Sequence, residues 1–244
     1  MCELRPGSEL AGYVIEAIER EDAGAAVLRA RDRDADRPVV LHVADEPPGS
    51  LTTMRFLERA HRVRAVDHPH LLGVYGARTL AGRAVAVAQS PPGRRLDELL
   101  AEGPIGPAPA VRIGRQLASA VAALEDAGAE PPPLDGERIW VDGAGDAHLD
   151  ALDAPGAIAL PRAASSAAGV ARLVAEMTPH VPPPLEAVLT RALDGAYLSP
   201  AQLADALRGY ETGAADRRRR TAIAVAVVAT LVVAALVLAK LALS

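Results

Sequence analysis

Short stretches of residues 1–90 alternate apolar and polar positions, and this period of two is typical of β-strands. We predict strands over 13–18, 25–31, 38–43, 71–77 and 83–88. One stretch differs, because Leu51, Met54, Leu57, Val63 and Val66 recur at the spacing of one helix face. That pattern predicts a single helix over 51–66 within an otherwise β-rich segment.

After the string SPPG at 90–93, which is typical of a turn or hinge, the pattern becomes mostly helical. Helices are predicted over 96–100, 107–127, 165–177, 184–194 and 199–209. A small hairpin is predicted from strands at 139–141 and 147–149, joined around Gly143–Gly145. The sequence therefore predicts an α+β architecture with two lobes, a β-rich N-lobe over 1–92 and a helical C-lobe over 93–210.

The last part of the chain predicts a membrane anchor. Thr221–Ala239 contains no charge, proline or glycine, and a helix over 221–243 would rise roughly 34 Å, enough to cross a hydrocarbon core of about 30 Å. A basic linker at 211–220 precedes this span and contains Arg217, Arg218, Arg219 and Arg220. Flanking positive charge stays on the cytoplasmic side. We therefore expect a single-pass protein of the cell membrane whose N-terminal part is cytoplasmic.

Composition narrows the classes of function. Half of the residues are hydrophobic and only 2% are aromatic, so the core is expected to consist of Ala, Val and Leu. A net charge of −5 gives no reason to expect a nucleic-acid partner. Cys2, the one cysteine, cannot form an internal disulfide or a metal site by itself. A reducing, cytosolic environment fits this composition.

Several strings, in this order, resemble the bacterial Hanks-type Ser/Thr protein-kinase family. PGSELAGYVIE at 6–16 looks like its opening strand, and VLRARDRDADRPVVLHV at 27–43 looks like its second and third strands. DHPHLLGVYGA at 67–77 is similar to the segment after the family's C-helix. LDELLAEGPI and QLASAVAALEDAG are similar to the helices before the catalytic loop. The resemblance covers residues 6–209 and implies a protein-kinase-like two-lobed fold with a shortened C-lobe, plus the transmembrane helix.

The phosphate-binding positions that this resemblance implies carry different residues here. At the three positions of the glycine-rich loop, whose backbone must approach the phosphates, stand Arg20, Asp22 and Ala25. The phosphate-gripping lysine corresponds to His42. Its glutamate partner on the C-helix corresponds to Arg59, with Glu58 beside it on another face. A histidine beside an arginine cannot reproduce that ion pair.

The catalytic positions also differ. Where the family has His-Arg-Asp, this chain has Pro131-Pro132-Pro133, and Arg138 stands at the position of the metal-binding asparagine. The metal-binding Asp-Phe-Gly string aligns with Ala151-Leu152-Asp153, although another register offers Asp150 or Asp153 to a metal. Residues 154–216 are too few for a full activation segment and a complete C-lobe. We therefore expect no catalysis, no cofactor and no metal.

Two other constellations suggest chemistry and are weaker. His61, His68 and His70 lie close in sequence, but zinc sites need three or four converging ligands and no fourth is evident. Ser90, His148 and Asp150 could form a hydrolase triad on paper, yet no nucleophile-elbow pattern accompanies them.

We expect a membrane-tethered pseudokinase that acts as a scaffold or regulatory adaptor. Similarity to such bacterial proteins implies a protein partner, either in envelope synthesis or with a forkhead-associated domain that binds phosphothreonine. Thr52 and Thr53, before the C-helix, are the candidate phosphosites. One alternative is a residual ATP-binding switch or weak atypical kinase, in which Arg20, Arg59 and Arg138 replace the missing cations. A neutral spacer on a membrane anchor is another.

Overall fold

A computed structural model describes residues 4–22, 24–47, 49–152 and 166–213. The N-terminal part forms a six-stranded antiparallel sheet with strand order β1-β2-β3-β4-β6-β5. The strands are β1 (Glu9–Leu10), β2 (Tyr13–Asp22), β3 (Ala25–Asp32), β4 (Arg37–Ala44), β5 (Val74–Leu80) and β6 (Arg83–Gln89). This sheet confirms the predicted β-rich N-terminal segment.

The two faces of the sheet pack differently. One face carries an apolar cluster built mainly from β3, β4 and β6, with Leu28, Leu41 and Val85 fully buried. The small residues Ala84, Ala86 and Ala88 point to the opposite face and join the core that continues into the C-terminal part. Because successive side chains of a strand point to opposite faces, this arrangement follows from the alternating pattern of β6.

Helix α1 (Leu51–Arg64) packs on β5 and β6 through Phe56, Ala60 and Val63. Its N-terminus is fixed by Ser50, whose side-chain oxygen accepts a hydrogen bond from the Thr53 backbone N–H. The predicted helix at 51–66 is thus present and ends two residues earlier.

The segment between α1 and β5 explains why β5 begins later than predicted. Leu71 forms a parallel bridge with Leu149, and the Leu72 N–H donates to the Leu149 carbonyl at 2.9 Å. These two residues therefore belong to the contact with the C-terminal part, and β5 starts at Val74 instead of 71.

The C-terminal part is helical around a small three-stranded sheet of β7 (Arg94–Arg95), β8 (Ile139–Val141) and β9 (Ala147–Leu149). Its helices are α2 (Leu96–Glu102), α3 (Pro107–Asp126), α4 (Ser166–Met177), α5 (Pro183–Leu193) and α6 over 200–213. A 3₁₀ turn, Gly136–Arg138, precedes β8. The predicted hairpin strands agree with β8 and β9, and the predicted helices agree within a few residues.

Gly93 marks the connection between the two lobes. Its φ is +77°, and a Cβ there would lie 2.0 Å from the Val141 carbonyl oxygen. Only glycine combines that backbone conformation with so close an approach. The SPPG string therefore ends in a hinge that is held against β8.

No helix among the described residues is long and apolar enough to cross a membrane. The predicted span at 221–243 and the arginines at 217–220 lie outside the described residues, as does Asp153. The anchor and the lobe boundaries stay predictions.

Candidate functional site

A cavity of about 420 Å³ lies between the lobes, and we call it the cleft. Its apolar walls come from both lobes: Val27, Val40, Leu72, Ala88 and Trp140. Its polar residues include Glu19, Arg20, Arg29, His42, Gln89, Arg95, Glu137, Arg138 and Asp150. The usual small-molecule site is concave and mostly apolar with a few polar groups, and this cleft is concave but carries more charged residues than that form.

His42 is the most buried polar group of the cleft, with 1% of its surface exposed. It lies on β4 opposite Val27 of β3, two residues from Val40, so the three side chains share the face of the sheet that roofs the cleft. Its Nε2 lies 3.4 Å from Oδ2 of Asp150, which directly follows β9. The pair therefore joins the two lobes across the site.

Two arginines bind the backbone that follows β9. Arg59 of α1 donates from Nη2 to the Ala151 carbonyl at 3.2 Å. Arg138 donates from Nη1 to the Leu152 carbonyl at 3.0 Å, and its Nε lies 3.4 Å from an Asp135 carboxylate oxygen. Both guanidinium groups are thus engaged with protein groups. The family resemblance places the lysine's glutamate partner at Arg59 and the metal-binding asparagine at Arg138.

A pair of opposite charges, Arg20 and Glu137, lies at the entrance of the cleft. Arg20 on β2 lies 3.8 Å from Glu137 of the 3₁₀ turn, measured from Nη1 to Oε2. The contact is half exposed, so its contribution to stability is small, of order 0–1 kcal/mol. It nevertheless places an acidic side chain opposite Arg20, which the resemblance assigns to the glycine-rich loop.

The proline run provides no proton acceptor where the resemblance places a base. Pro131 and Pro132 are buried, and Pro133 is exposed. Glu130 directly precedes the run, and Asp135, the nearest carboxylate after it, pairs with Arg138. Among the residues that the structure describes, no group of three or more His, Cys, Asp or Glu side chains is arranged to hold a metal ion.

Sequence reasoning missed the partner of His42. Asp150 entered the sequence analysis only as a metal ligand in another register or as part of a triad. One sequence signal could have indicated this role: Asp150 directly follows the strand predicted at 147–149, and residues there must contact the other lobe. The same reasoning also missed Trp140 and Glu137 as cleft residues.

The two candidate phosphosites lie in the first turn of α1 and not before it, because the helix begins at Leu51, and they differ in accessibility. Thr53 is 1% exposed, and its hydroxyl lies 3.0 Å from the Ser50 carbonyl, to which it donates. A kinase would reach it only after this helix turn opens. Thr52 is half-buried. Modification of either residue stays a prediction.

The other predicted constellations are rearranged in space. His61 is exposed on α1, whereas the ring of His70 lies between those of His68 and His148, at centroid distances of 5.6 and 6.3 Å. Of the three residues considered for a hydrolase triad, Ser90 and Asp150 line the cleft. The third, His148, faces Asp142 instead, with 3.4 Å between Nε2 and Oδ2. The structure places no catalytic chemistry on that grouping.

The fold matches solved protein kinases. A crystal structure of the Mycobacterium tuberculosis PknI kinase domain superposes with a TM-score of 0.67 at 16% identity, covering 85% of this chain and 99% of that chain. A second crystal structure of that kinase domain gives 0.68 at 17% identity, covering 86% and 100%. No protein-family model matches, and no curated protein matches. The chain thus has a protein-kinase-like fold, as the resemblance implied.

Proposed function

We propose that this chain is a catalytically inactive pseudokinase, tethered to the cytoplasmic face of a bacterial membrane, which acts as a scaffold or regulatory adaptor. The protein partner would be found among envelope-synthesis proteins or proteins with a forkhead-associated domain. The kinase-like fold supplies the binding surfaces, and the predicted span at 221–243 supplies the location.

The observation that supports this proposal most is the engagement of His42 with Asp150. Phosphoryl transfer depends on positioned cations and metal-binding carboxylates aimed at the phosphates. Here the side chain at the lysine position faces a carboxylate of the opposite lobe at 3.4 Å. Arg59 and Arg138, at the glutamate and asparagine positions, bind backbone carbonyls instead. These contacts favour a role in holding the lobes together.

The cleft itself favours one second candidate, a residual nucleotide-binding switch. Its volume of about 420 Å³ lies within the usual range for a small-molecule site of about 300–1,000 Å³. Val27 and Trp140 lie on opposite lobes and could enclose a flat ring. Phosphates would then have to be bound by Arg20 and Arg138 in competition with their acidic neighbours.

Titration with ATP separates the two functions. We expect millimolar ATP with magnesium to leave both the melting temperature and the Trp140 fluorescence of the full chain in detergent unchanged. Trp140 is the one tryptophan of the chain and lines the cleft, so its emission reports directly on occupancy. We also expect no transfer of radioactive phosphate to the chain or to a general substrate protein.

The control is a variant with a smaller cleft, Val27→Phe. Val27 is half-buried at the cleft wall, so the larger ring fills space without entering the sheet core. A saturable shift that the wild type gives and Val27→Phe loses would support the nucleotide switch. Phosphate transfer that the same substitution abolishes would overturn the proposal of an inactive protein.

A further inference from the structure

Three histidines meet where the lobes join, away from the cleft. His68 and His70 lie on the segment between α1 and β5, and His148 lies on β9. The rings of His68 and His70 are 5.6 Å apart and those of His70 and His148 are 6.3 Å apart, measured between centroids. We call this group the histidine joint. Neither the cleft nor the proposed function uses it.

The joint is part of the connection between the lobes. The Leu149 N–H donates to the His70 carbonyl, and the Leu72 N–H donates to the Leu149 carbonyl, both at 2.9 Å. Leu71 bridges to Leu149 between them. His68 reaches α3 through a contact of 3.0 Å between its Nε2 and the Ser119 hydroxyl. Any rearrangement of residues 68–70 is therefore transmitted to the contact between lobes.

The geometry defines the protonation state of His68. The backbone N–H of His70 donates to His68 Nδ1 at 3.2 Å, so Nδ1 must present its lone pair. The proton of the neutral ring then lies on Nε2, facing Ser119. A second proton would have to go to Nδ1, where it would point at the His70 N–H. Charging His68 in this geometry thus breaks the hydrogen bond that closes the turn.

His70 is constrained in a complementary way. Its Nδ1 lies 3.0 Å from the Ala147 carbonyl, which can only accept, so this nitrogen carries the proton. A second proton on Nε2 keeps that bond but adds a charge next to the other two rings. Within the joint, protonation of one ring therefore opposes protonation of its neighbours.

The charges around the joint have both signs. Burial, the largest cause, and the neighbouring His70 lower the pKa of His68, while Asp67 opposes them. Burial also lowers the pKa of His70 most, together with His148 and Arg115, against the Ala147 carbonyl and Asp146. The remaining facing groups are Arg112, which pairs with Asp146, and Asp142, which faces His148.

We propose that the histidine joint is a proton-responsive connection, which keeps the lobes docked when His68 and His70 are neutral and loosens when they take up protons. The device is independent of the proposed scaffold function, since it requires neither a partner nor an empty cleft.

The sign follows from the lowered pKa values. The unfolded chain binds protons at His68 and His70 near the reference pKa of about 6.5, whereas the folded chain resists them. The stability that this neutral pair provides is complete above about pH 6.5 and is lost as the pH falls through that value toward the folded pKa values. Each unit of lowering corresponds to a loss of about tenfold in the folding equilibrium constant.

The test compares the full chain with the double variant His68→Asn/His70→Asn. Asparagine does not titrate in this range, yet its oxygen can replace the Nδ1 acceptor of His68, and its NH₂ group can replace the Nδ1 donor of His70. We expect the wild type to lose more stability than the double variant between about pH 7.5 and about pH 5.0. The control is His180→Asn, an exposed histidine outside the joint, which should follow the wild type.

A second measurement does not depend on how well the variant folds. Nitrogen chemical shifts of the His68 ring in the wild type should show the Nε2–H form at about pH 7.5. Exchange of the His70 and Leu72 amides, corrected for the intrinsic rate, should accelerate at least about tenfold as that ring titrates. A ring that is already charged at neutral pH, amide exchange that does not follow its titration, or equal pH profiles for the wild type and the double variant would overturn the proposal.

Discussion

At the scale of single residues, the character of the cleft depends on which side chains pair across it. His42 and Asp150 come from opposite lobes and meet at 3.4 Å, with His42 almost fully buried. The resemblance to the kinase family assigns His42 to the lysine position. It did not predict the partner, because a contact between residues so far apart along the chain depends on how the lobes dock and not on any local pattern.

The contribution of this pair can be measured with His42→Ala. The substitution removes a buried ring and leaves the Asp150 carboxylate without that neighbour, so we expect a loss of about 1–3 kcal/mol in the free energy of unfolding. Denaturant unfolding of the full chain, followed by Trp140 fluorescence, provides the value. The matched control is His61→Ala, because His61 is exposed on α1 and its removal should stay within about 0.5 kcal/mol. Equal losses for both variants would show that the pair does not stabilise the fold.

At the scale of elements, the sequence pattern predicts most helices and strands. It does not predict the tertiary contacts that decide where some of them begin. The α3 prediction at 107–127 agrees with the observed Pro107–Asp126, since a long amphipathic pattern and N-terminal prolines are strong local signals. The strand predicted at 71–77 begins at Val74 instead, because Leu71 and Leu72 bond to β9. The short strands β1 and β7 have no pattern of their own and depend entirely on the neighbours they pair with.

The packing of α3 on α4 depends on one helical glycine. A Cβ on Gly114 would lie 2.3 Å from Cγ2 of Val174, a β-branched side chain with little rotamer freedom. We expect Gly114→Ala to cost about 1–3 kcal/mol through overpacking, despite the better helix propensity of alanine. The measurement is again denaturant unfolding of the full chain.

Gly169 on α4 is the matched control for that prediction. A Cβ there would meet Cδ1 of Leu134 at 3.5 Å, which is ordinary van der Waals contact. Gly169→Ala should therefore stabilise the chain by about 0.5–1 kcal/mol, the gain in helix propensity. Opposite signs for two identical substitutions on neighbouring helices would establish close packing as the cause, whereas destabilisation of equal size at both sites would contradict it.

At the scale of the whole molecule, the two lobes are connected at the Gly93 hinge against β8 and at residues 149–151, which end and follow β9. The hinge at Gly93, the cleft pair His42–Asp150, the guanidinium of Arg59 and the Leu72–Leu149 hydrogen bond each link them. Order and spacing of short strings predicted the two-lobed kinase-like fold, and the structural matches confirm it. The order of these strings carries no information on whether the protein transfers phosphate, since that depends on the groups in the cleft.

Membrane attachment is the property of the whole chain that the sequence predicts most directly. Residues 221–243 are apolar enough to span a bilayer, so the full chain should stay in the membrane fraction after washing with high salt or alkaline carbonate. A chain that ends at Gly213 should appear in the soluble fraction, because it lacks both the span and the four arginines.

The control replaces Arg217–Arg220 with serine and keeps the span. If attraction to headgroups alone held the protein, this variant would leave the membrane even without salt, because the arginines are gone. A spanning helix keeps it in the membrane, and loss of the fixed cytoplasmic orientation is then the only expected change. Protease added to intact cells distinguishes the orientations, and extraction of the unaltered chain by salt would contradict the anchor.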